Sequence, residues 1–233
     1  MMSQKLVLID GHSILNRAFY GVPDLSNAEG LHTNAIYGFL NIMFKFLEEE
    51  NPTHLAVAFD LKAPTFRHKM FADYKGTRKG MPDELQEQVP VIRGVLKAMN
   101  IPLMMEEGYE ADDLLGTMSV LGEQAGFEVK IVSGDRDLLQ LATKKVQIRI
   151  PKTNRAGTVV EDYYEDDVLE KYKDHLIYST DDGESESYPC AIELTDNRWI
   201  QKYGIYDSCY FGVFSRSEQK DYYTKFADFL LNY

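Results

Sequence analysis

The stretch Lys5-Leu-Val-Leu-Ile-Asp-Gly11 decides the fold. Its apolar residues run without a break up to Asp10, which is typical of a buried strand. A second apolar run, residues 54–59, ends at Asp60 in the same way. Between the two runs, residues 34–49 carry apolar side chains at helical spacing. A strand, a helix and a second strand in this order predict a βαβ unit, in which both strands are parallel.

The same alternation continues further along the chain. Apolar spacing predicts helices over residues 83–99 and 112–125, and short apolar runs predict strands over residues 103–105, 128–132 and 146–150. We therefore expect an α/β fold with a mainly parallel central sheet and helices on both faces. Ligands of such sheets bind at the carboxyl ends of the strands.

The overall composition is that of an ordinary globular protein. The 233 residues are 44% hydrophobic and 27% charged, with a net charge of −12. The apolar runs are too short to span a membrane, and no signal peptide precedes the first strand, so we expect a cytoplasmic protein without a membrane partner. Cys190 and Cys209 are too few for a disulfide framework or a cysteine-built zinc site.

The charge is unevenly distributed. The pI of about 4.9 argues against non-specific attraction of the whole surface to nucleic acid. Residues 62–97, however, contain eight Lys and Arg against four Asp and Glu, which leaves +4. A solvated helical face would explain this excess, and so would a local site for an anion.

The composition changes near Tyr172. Residues 173–233 hold 13 of the 28 aromatic residues and carry a net charge of −5, six basic against eleven acidic side chains. Residues 179–187 form a polar, acidic stretch that is typical of a loop. We expect a catalytic domain over residues 1–172 and an unassigned tail over residues 173–233, with strands at 190–194 and 209–214 and an amphipathic helix after Ser217.

Acidic residues follow the predicted strands and should meet at one edge of the sheet. They are Asp10, Asp60, Glu110, Asp112, Asp113, Asp135 and Asp137. Any one of them alone could be a helix cap. Together they would repel one another, so some must be protonated or bind cations. Hard oxygen ligands suit Mg²⁺ or Mn²⁺, and two such ions roughly 3.5–4 Å apart promote phosphoryl transfer.

Five separated motifs carry a resemblance to a known family. They are Ile9-Asp-Gly-His12, Ala58-Phe-Asp60 with Ala63-Pro-Thr-Phe-Arg-His68, Tyr74-Lys-Gly-Thr-Arg-Lys79, Tyr109-Glu-Ala-Asp-Asp113 and Ser133-Gly-Asp-Arg-Asp-Leu138. Over residues 4–172 they resemble the N-terminal 5′→3′ exonuclease domains of bacterial DNA polymerases I. Those domains belong to the flap-endonuclease family and have a PIN-like fold. The resemblance implies metal-dependent hydrolysis of DNA near 5′ ends, nicks or flaps, in replication and repair.

The matched positions imply two metal clusters. The first would contain Asp10, Asp60, Glu110 and Asp112, the second Asp135 and Asp137, and Asp113 would support them from outside. Mg²⁺ or Mn²⁺ would be the cofactor at both sites.

The resemblance also implies residues that contact DNA. Tyr74, Lys75 and Arg78 match the gateway motif beside the active site, where Lys and Arg would hold the scissile phosphate and Tyr could stack on an unpaired base. Arg17 and Arg67 are further phosphate-binding candidates. His12 and His32 are expected to be structural, because a metal-bound water can serve as the nucleophile.

The resemblance stops near Tyr172. The family pattern would continue with a Gly-Asp-x-x-Asp-Asn segment, which completes the second metal cluster, and then with a helix-turn-helix variant that grips duplex DNA. Neither is recognisable in this sequence. The second metal site is therefore expected to be incomplete. Two alternatives stay open: a metal- and DNA-binding module that cuts poorly, and a PIN-type ribonuclease.

Overall fold

The computed structural model describes residues 4–70, 74–75, 80–154 and 157–172, and for residues 153, 154, 157 and 158 it describes the backbone only. The elements expected in the tail and the candidate Arg78 lie outside these ranges. None of the described helices is long and apolar enough to cross a membrane.

Six strands form one sheet within the described residues. They are β1 (Lys5–Asp10), β2 (His54–Ala58), β3 (Leu103–Met104), β4 (Glu128–Val132), β5 (Val146–Asn154) and β6 (Gly157–Tyr163), in the spatial order β3-β2-β1-β4-β5-β6. All neighbouring pairs are parallel except β5 and β6. The predicted α/β class with a mainly parallel sheet is confirmed.

Helices connect the strands. They are α1 (Gly11–Gly21), α2 (Asn34–Glu50), α3 (Phe66–Met70), α4 (Asp83–Ala98), α5 (Ala111–Gln124) and α6 (Glu165–Tyr172), and a 3₁₀ helix covers Asp137–Leu141. The helices over 34–49, 83–99 and 112–125 match their predictions to within one residue at either end. Helix α1 was not predicted; it begins directly after Asp10, whose carboxylate accepts a hydrogen bond from the Ser13 N–H.

The unbroken apolar run of β1 has a structural reason. Successive side chains of a strand point to opposite faces of the sheet. Leu6 and Leu8 pack on the face covered by α5, whereas Val7 and Ile9 pack on the face covered by α1, α2 and α4. Both faces of the central strand are buried, so every residue from Leu6 to Ile9 must be apolar.

Strand β6 is the main difference from the sequence prediction. It pairs antiparallel with β5, from Asn154↔Gly157 at the connection to Ile148↔Tyr163. The prediction ended β5 at residue 150 and placed nothing after it. The helix-and-strand alternation that identified the other strands is absent here, because an antiparallel neighbour needs only a short connection.

Candidate active site at the carboxyl edge of the sheet

Asp10 ends the central strand and is 4% exposed. Its carboxylate accepts one hydrogen bond from the Ser13 N–H at 3.1 Å and one from the Ser133 hydroxyl at 2.8 Å. Burial raises the pKa of Asp10 to about 6; the two hydrogen bonds oppose this rise, and the charges of Asp60 and Asp135 add to it.

Asp112 interacts electrostatically with four other carboxylates of the cluster. Burial raises the pKa of Asp112 to about 8, and the neighbouring carboxylates Asp10, Asp135, Asp60 and Glu110 contribute to the rise in that order. A carboxyl group with such neighbours holds its proton at neutral pH unless a cation joins the cluster. The structure thus brings together five of the seven acids predicted to meet at this edge.

Asp60 follows β2 and reaches across to α5. Its Oδ1 accepts a hydrogen bond from the Ala111 N–H at 2.7 Å, in the first turn of that helix. In contrast to Asp10, 46% of the Asp60 side chain is exposed. One carboxylate oxygen therefore anchors the start of α5, and the group as a whole still faces solvent.

Glu110, the residue before α5, is bound by two residues of the predicted gateway. The Lys75 ammonium donates to Oε1 at 2.8 Å, and the Tyr74 hydroxyl donates to Oε2 at 3.2 Å. The Lys75 ammonium also lies 5.2 Å from the centre of the Tyr74 ring. Burial and the charge of Glu110 raise the pKa of Tyr74, so its hydroxyl stays protonated and donates. The structure places Tyr74 and Lys75 at the acidic cluster.

Asp113 faces Arg67, away from solvent. The two terminal nitrogens of Arg67 donate to the two carboxylate oxygens at 2.7 and 2.8 Å, and both side chains are almost completely buried. Asp113 also accepts from the Glu110 N–H at 2.9 Å. This geometry suits the supporting role predicted for Asp113. It favours Arg67 as the partner of Asp113 over the phosphate contact suggested by the resemblance.

The loop after β4 supplies the remaining acids. The Asp135 N–H donates to the Ser133 hydroxyl at 3.0 Å, and the Asp137 N–H donates to Asp135 Oδ1 at 2.9 Å. Because the charge of Asp135 raises the pKa of both Asp10 and Asp112, Asp135 belongs to the cluster. Asp137 is exposed at the start of the 3₁₀ helix.

Arg17, on α1, packs against the same loop. A Cβ on Gly134 would lie 2.8 Å from Arg17 Nε, so the guanidinium lies directly against the backbone of this loop. Burial and the charge of Arg136 lower the pKa of Arg17. Among the described residues, Arg17 Nε is buried without a hydrogen-bond partner.

The carboxylates fit a hard divalent cation by their chemistry. The Lys75 ammonium is one cation that already binds the Glu110 carboxylate. Asp10 and Asp112 lie close to other carboxylates, and a cation would relieve the repulsion between them. Within the part of the chain that the structure describes, no three Asp, Glu, His or Cys side chains are arranged to hold an ion as they stand. Protein donors already bind Asp10, Asp60 and Glu110, and each carboxylate keeps lone pairs that a cation could use.

Three further residues support the site. Ser133 and His12 stand in two of the quoted motifs, but no functional role was predicted for Ser133, and His12 was expected to be structural. No pattern in the sequence singled out Arg93. Ser133 binds Asp10, whereas His12 and Arg93 both contact the backbone of Asp60. Burial lowers the pKa of His12. His12 stands inside one of the five motifs and could have been found by its place beside Asp10. Arg93 lies far from any motif, so only the fold reveals it.

The fold and the site together define a class: an α/β protein whose acidic cluster at the carboxyl edge suits hard cations. Residues 5–173 match the family described as 5′–3′ exonuclease, N-terminal resolvase-like domain. The chain belongs to this family, and the resemblance predicted from its motifs is confirmed.

Relatives of the chain include polymerases and a separate exonuclease. The chain is 52% identical over 171 residues to DNA polymerase I of Geobacillus stearothermophilus, which covers 73% of this chain and 19% of that protein. It is 44% identical over 153 residues to a 5′–3′ exonuclease of Aquifex aeolicus. This alignment covers 66% of this chain and 53% of that protein. The chain thus spans about a fifth of the polymerase and about half of the exonuclease.

The fold also occurs among solved structures. The flap endonuclease of bacteriophage T5, in a pseudo-enzyme–product complex with DNA and metal ions, matches with a TM-score of 0.55 at 21% identity. The match covers 72% of this chain and 61% of that chain. At this identity the likeness shows that the two proteins share a fold.

Proposed function

We propose that the chain is a divalent-cation-dependent 5′→3′ exonuclease and 5′-flap endonuclease that hydrolyses DNA phosphodiesters in replication and repair. The observation that carries the proposal is the convergence of the charges of Asp10, Asp60, Glu110 and Asp135 on Asp112. Membership of the 5′–3′ exonuclease family supports the direction of hydrolysis. The name of the relative DNA polymerase I supports DNA as the substrate. The choice of DNA with 5′ ends, nicks or flaps rests on the resemblance of the five motifs.

The carboxylates have distinct roles in this proposal. Asp10, Asp60, Glu110 and Asp112 hold one Mg²⁺ or Mn²⁺, and Asp135 and Asp137 hold a second with help from Asp112. Bound ions of this kind lower the pKa of water and stabilise the leaving oxygen of a phosphodiester. Asp113 does not bind a metal; together with Arg67 it fixes the first turn of α5, from which Glu110 and Asp112 project.

Basic and aromatic residues position the DNA. Lys75 and Arg78 hold the scissile phosphate, and Tyr74 stacks on an unpaired base. The contacts of Lys75 and Tyr74 with Glu110 support these roles, because they place an ammonium and a ring beside the acidic cluster. Arg17, which lies beside the loop after β4, supplies a further phosphate contact.

The two ions are held unequally. The first cluster offers four carboxylates, whereas the second offers Asp135 and Asp137 and otherwise depends on Asp112 and water. Mg²⁺ tolerates retained waters, but its affinity falls with each missing anionic ligand. Cleavage is therefore slow at low Mg²⁺ and recovers in part at high Mg²⁺ or with Mn²⁺.

Residues 1–172 form the catalytic domain in this proposal. The family match ends at residue 173, which supports a boundary near Tyr172. We assign no role to residues 173–233.

Cleavage of an end-labelled 5′-flap duplex tests the function. With Mg²⁺ or Mn²⁺ the chain should cut the flap and leave a matched single-stranded RNA intact. Asp112→Asn should abolish cutting, and Asp166→Asn, which removes an exposed carboxylate on α6, should not. Tight DNA binding without cleavage at high Mn²⁺ would identify a binding module instead. Preferential cutting of the RNA would overturn the proposal in favour of a ribonuclease.

A further inference from the structure

The backbone N–H and the backbone carbonyl of Asp60 are each bound by a side chain from a different helix. The Asp60 N–H donates to Nδ1 of His12, on α1, at 3.0 Å. The Asp60 carbonyl oxygen accepts from a terminal nitrogen of Arg93, on α4, at 2.8 Å. Neither contact belongs to the sheet or to a helix, so both exist only because these two side chains reach the same residue.

Phe59 organises both contacts. The His12 ring meets it edge to face, with centroids 5.3 Å apart, and the Arg93 guanidinium lies 4.9 Å from its centroid. A Cβ on Gly11 would lie 2.5 Å from the Phe59 ring, so the glycine is what allows α1 to approach. Phe59 itself is fully buried, and its N–H donates to the Met104 carbonyl. The two polar side chains are therefore packed against a fixed aromatic ring.

Asp60 needs this support more than Glu110 does. The Glu110 side chain is only 10% exposed and is held by Lys75 and Tyr74, whereas the Asp60 side chain is 46% exposed. The Ala111 N–H donates to Asp60 Oδ1, and His12 Nδ1 lies 3.5 Å from Oδ2. The direction in which this exposed carboxylate points consequently depends on how firmly its own backbone is held.

We propose that His12 and Arg93 are positioning residues, which fix the backbone on either side of the Asp60 Cα so that the Asp60 carboxylate is presented to the divalent cation. The inference rests on the proposed function, since it assigns these two residues to the same metal site. Groups that orient the ligands of a metal commonly change its affinity by about 10- to 100-fold when they are removed.

The test measures Mn²⁺ affinity by calorimetric titration without DNA. His12→Leu removes the acceptor, and Arg93→Met removes the donor at similar length. Each should weaken Mn²⁺ binding by about tenfold. His12→Asn retains an oxygen near the position of Nδ1 and should stay close to the wild-type affinity. Lys97→Met, which removes an exposed charge from the same helix, is the matched control for Arg93→Met.

A double-mutant cycle separates positioning from general damage. In an Asp60→Asn background, His12→Leu and Arg93→Met should cause no further loss of affinity, because the ligand that they position is gone. Equal losses in both backgrounds, or unchanged affinity in the single variants, would overturn the inference and leave the proposed function standing. Failure of the wild-type chain to bind Mn²⁺ would overturn both. If His12→Leu does not fold in a urea titration, the Arg93→Met cycle decides.

Discussion

Lys75 places its ammonium 2.8 Å from Glu110 Oε1, on a carboxylate that the proposed function assigns to a metal ion. The backbone of Lys75 is left-handed, with φ of 58°, which is unusual for a residue other than glycine. The positive charges of a lysine ammonium and a divalent cation repel each other when both lie on one carboxylate. The ion pair and the metal therefore compete for Glu110.

Lys75→Met should change metal binding and DNA cleavage in opposite directions. Mn²⁺ affinity should rise by roughly tenfold, because a charge-assisted hydrogen bond of about 1.5 kcal/mol no longer competes for Glu110. Cleavage of the flap duplex should fall, because the phosphate loses its lysine. Lys69→Met removes an exposed charge from α3 and should alter neither quantity. Unchanged Mn²⁺ affinity in Lys75→Met would show that the lysine does not compete with the metal.

Asp112→Asn should stabilise the metal-free chain, and more so as the pH rises. The pKa of Asp112 is about 8 in the folded state against an ordinary value of 3.8, so the folded state holds the proton more tightly. This contribution to stability is complete below about pH 4 and is lost between about pH 4 and pH 8. Urea unfolding with a chelator should show an advantage of the variant that grows across this range. A difference in unfolding free energy that stays constant with pH would mean that the charge of Asp112 does not destabilise the folded chain.

The salt dependence of DNA binding tests the gateway. The Lys75→Ala, Arg78→Ala variant should show a slope of log affinity against log salt that is smaller by about one unit for every phosphate interaction it removes. The measurement is a titration of labelled flap DNA at several salt concentrations, with Ca²⁺ in place of Mg²⁺ to prevent cleavage. Lys69→Ala serves as the control for the removal of a nearby charge. An unchanged slope in the double variant would remove both residues from the DNA-binding surface.

Arg67→Leu should act mainly on stability. It leaves the buried carboxylate of Asp113 without its partner, which typically costs about 3–5 kcal/mol. The double variant Arg67→Leu, Asp113→Leu should recover much of that loss, because no unpaired charge remains in the interior. Urea unfolding of the three proteins measures both effects. A single variant as stable as the wild type would return Arg67 to the candidates for phosphate binding.

Much of the fold and of the acidic cluster follows from the sequence for simple reasons. The buried strands β1 and β2 are short apolar runs, and each is followed by an aspartate, Asp10 and Asp60. Parallel strands bring their carboxyl ends together, so residues distant along the chain can be grouped before the structure is known. The grouping of Asp112 with four other acids follows from that rule alone.

The contacts that hold these acids could not be predicted in the same way. Arg93 reaches Asp60 from the middle of α4, and the rotation of that helix on the sheet decides where its arginine points. Asp113 and Arg67 are 46 residues apart, and no local pattern pairs them. Strand β6 was missed because a short antiparallel connection lacks the helical spacing that identified the other strands. Packing between secondary-structure elements determines the position of Arg93, the Arg67–Asp113 pair and the pairing of β6.

The hydrogen bond from the Ser133 hydroxyl to Asp10 has a consequence for the timing of synthesis. The two residues are 123 positions apart, so Asp10 is made well before Ser133. A nascent chain that ends before β4 contains Asp10. It lacks both Ser133, which orients Asp10, and Asp135. The acidic cluster is complete only after the ribosome has passed the loop that follows β4. An unfinished chain therefore lacks the assembled acidic cluster.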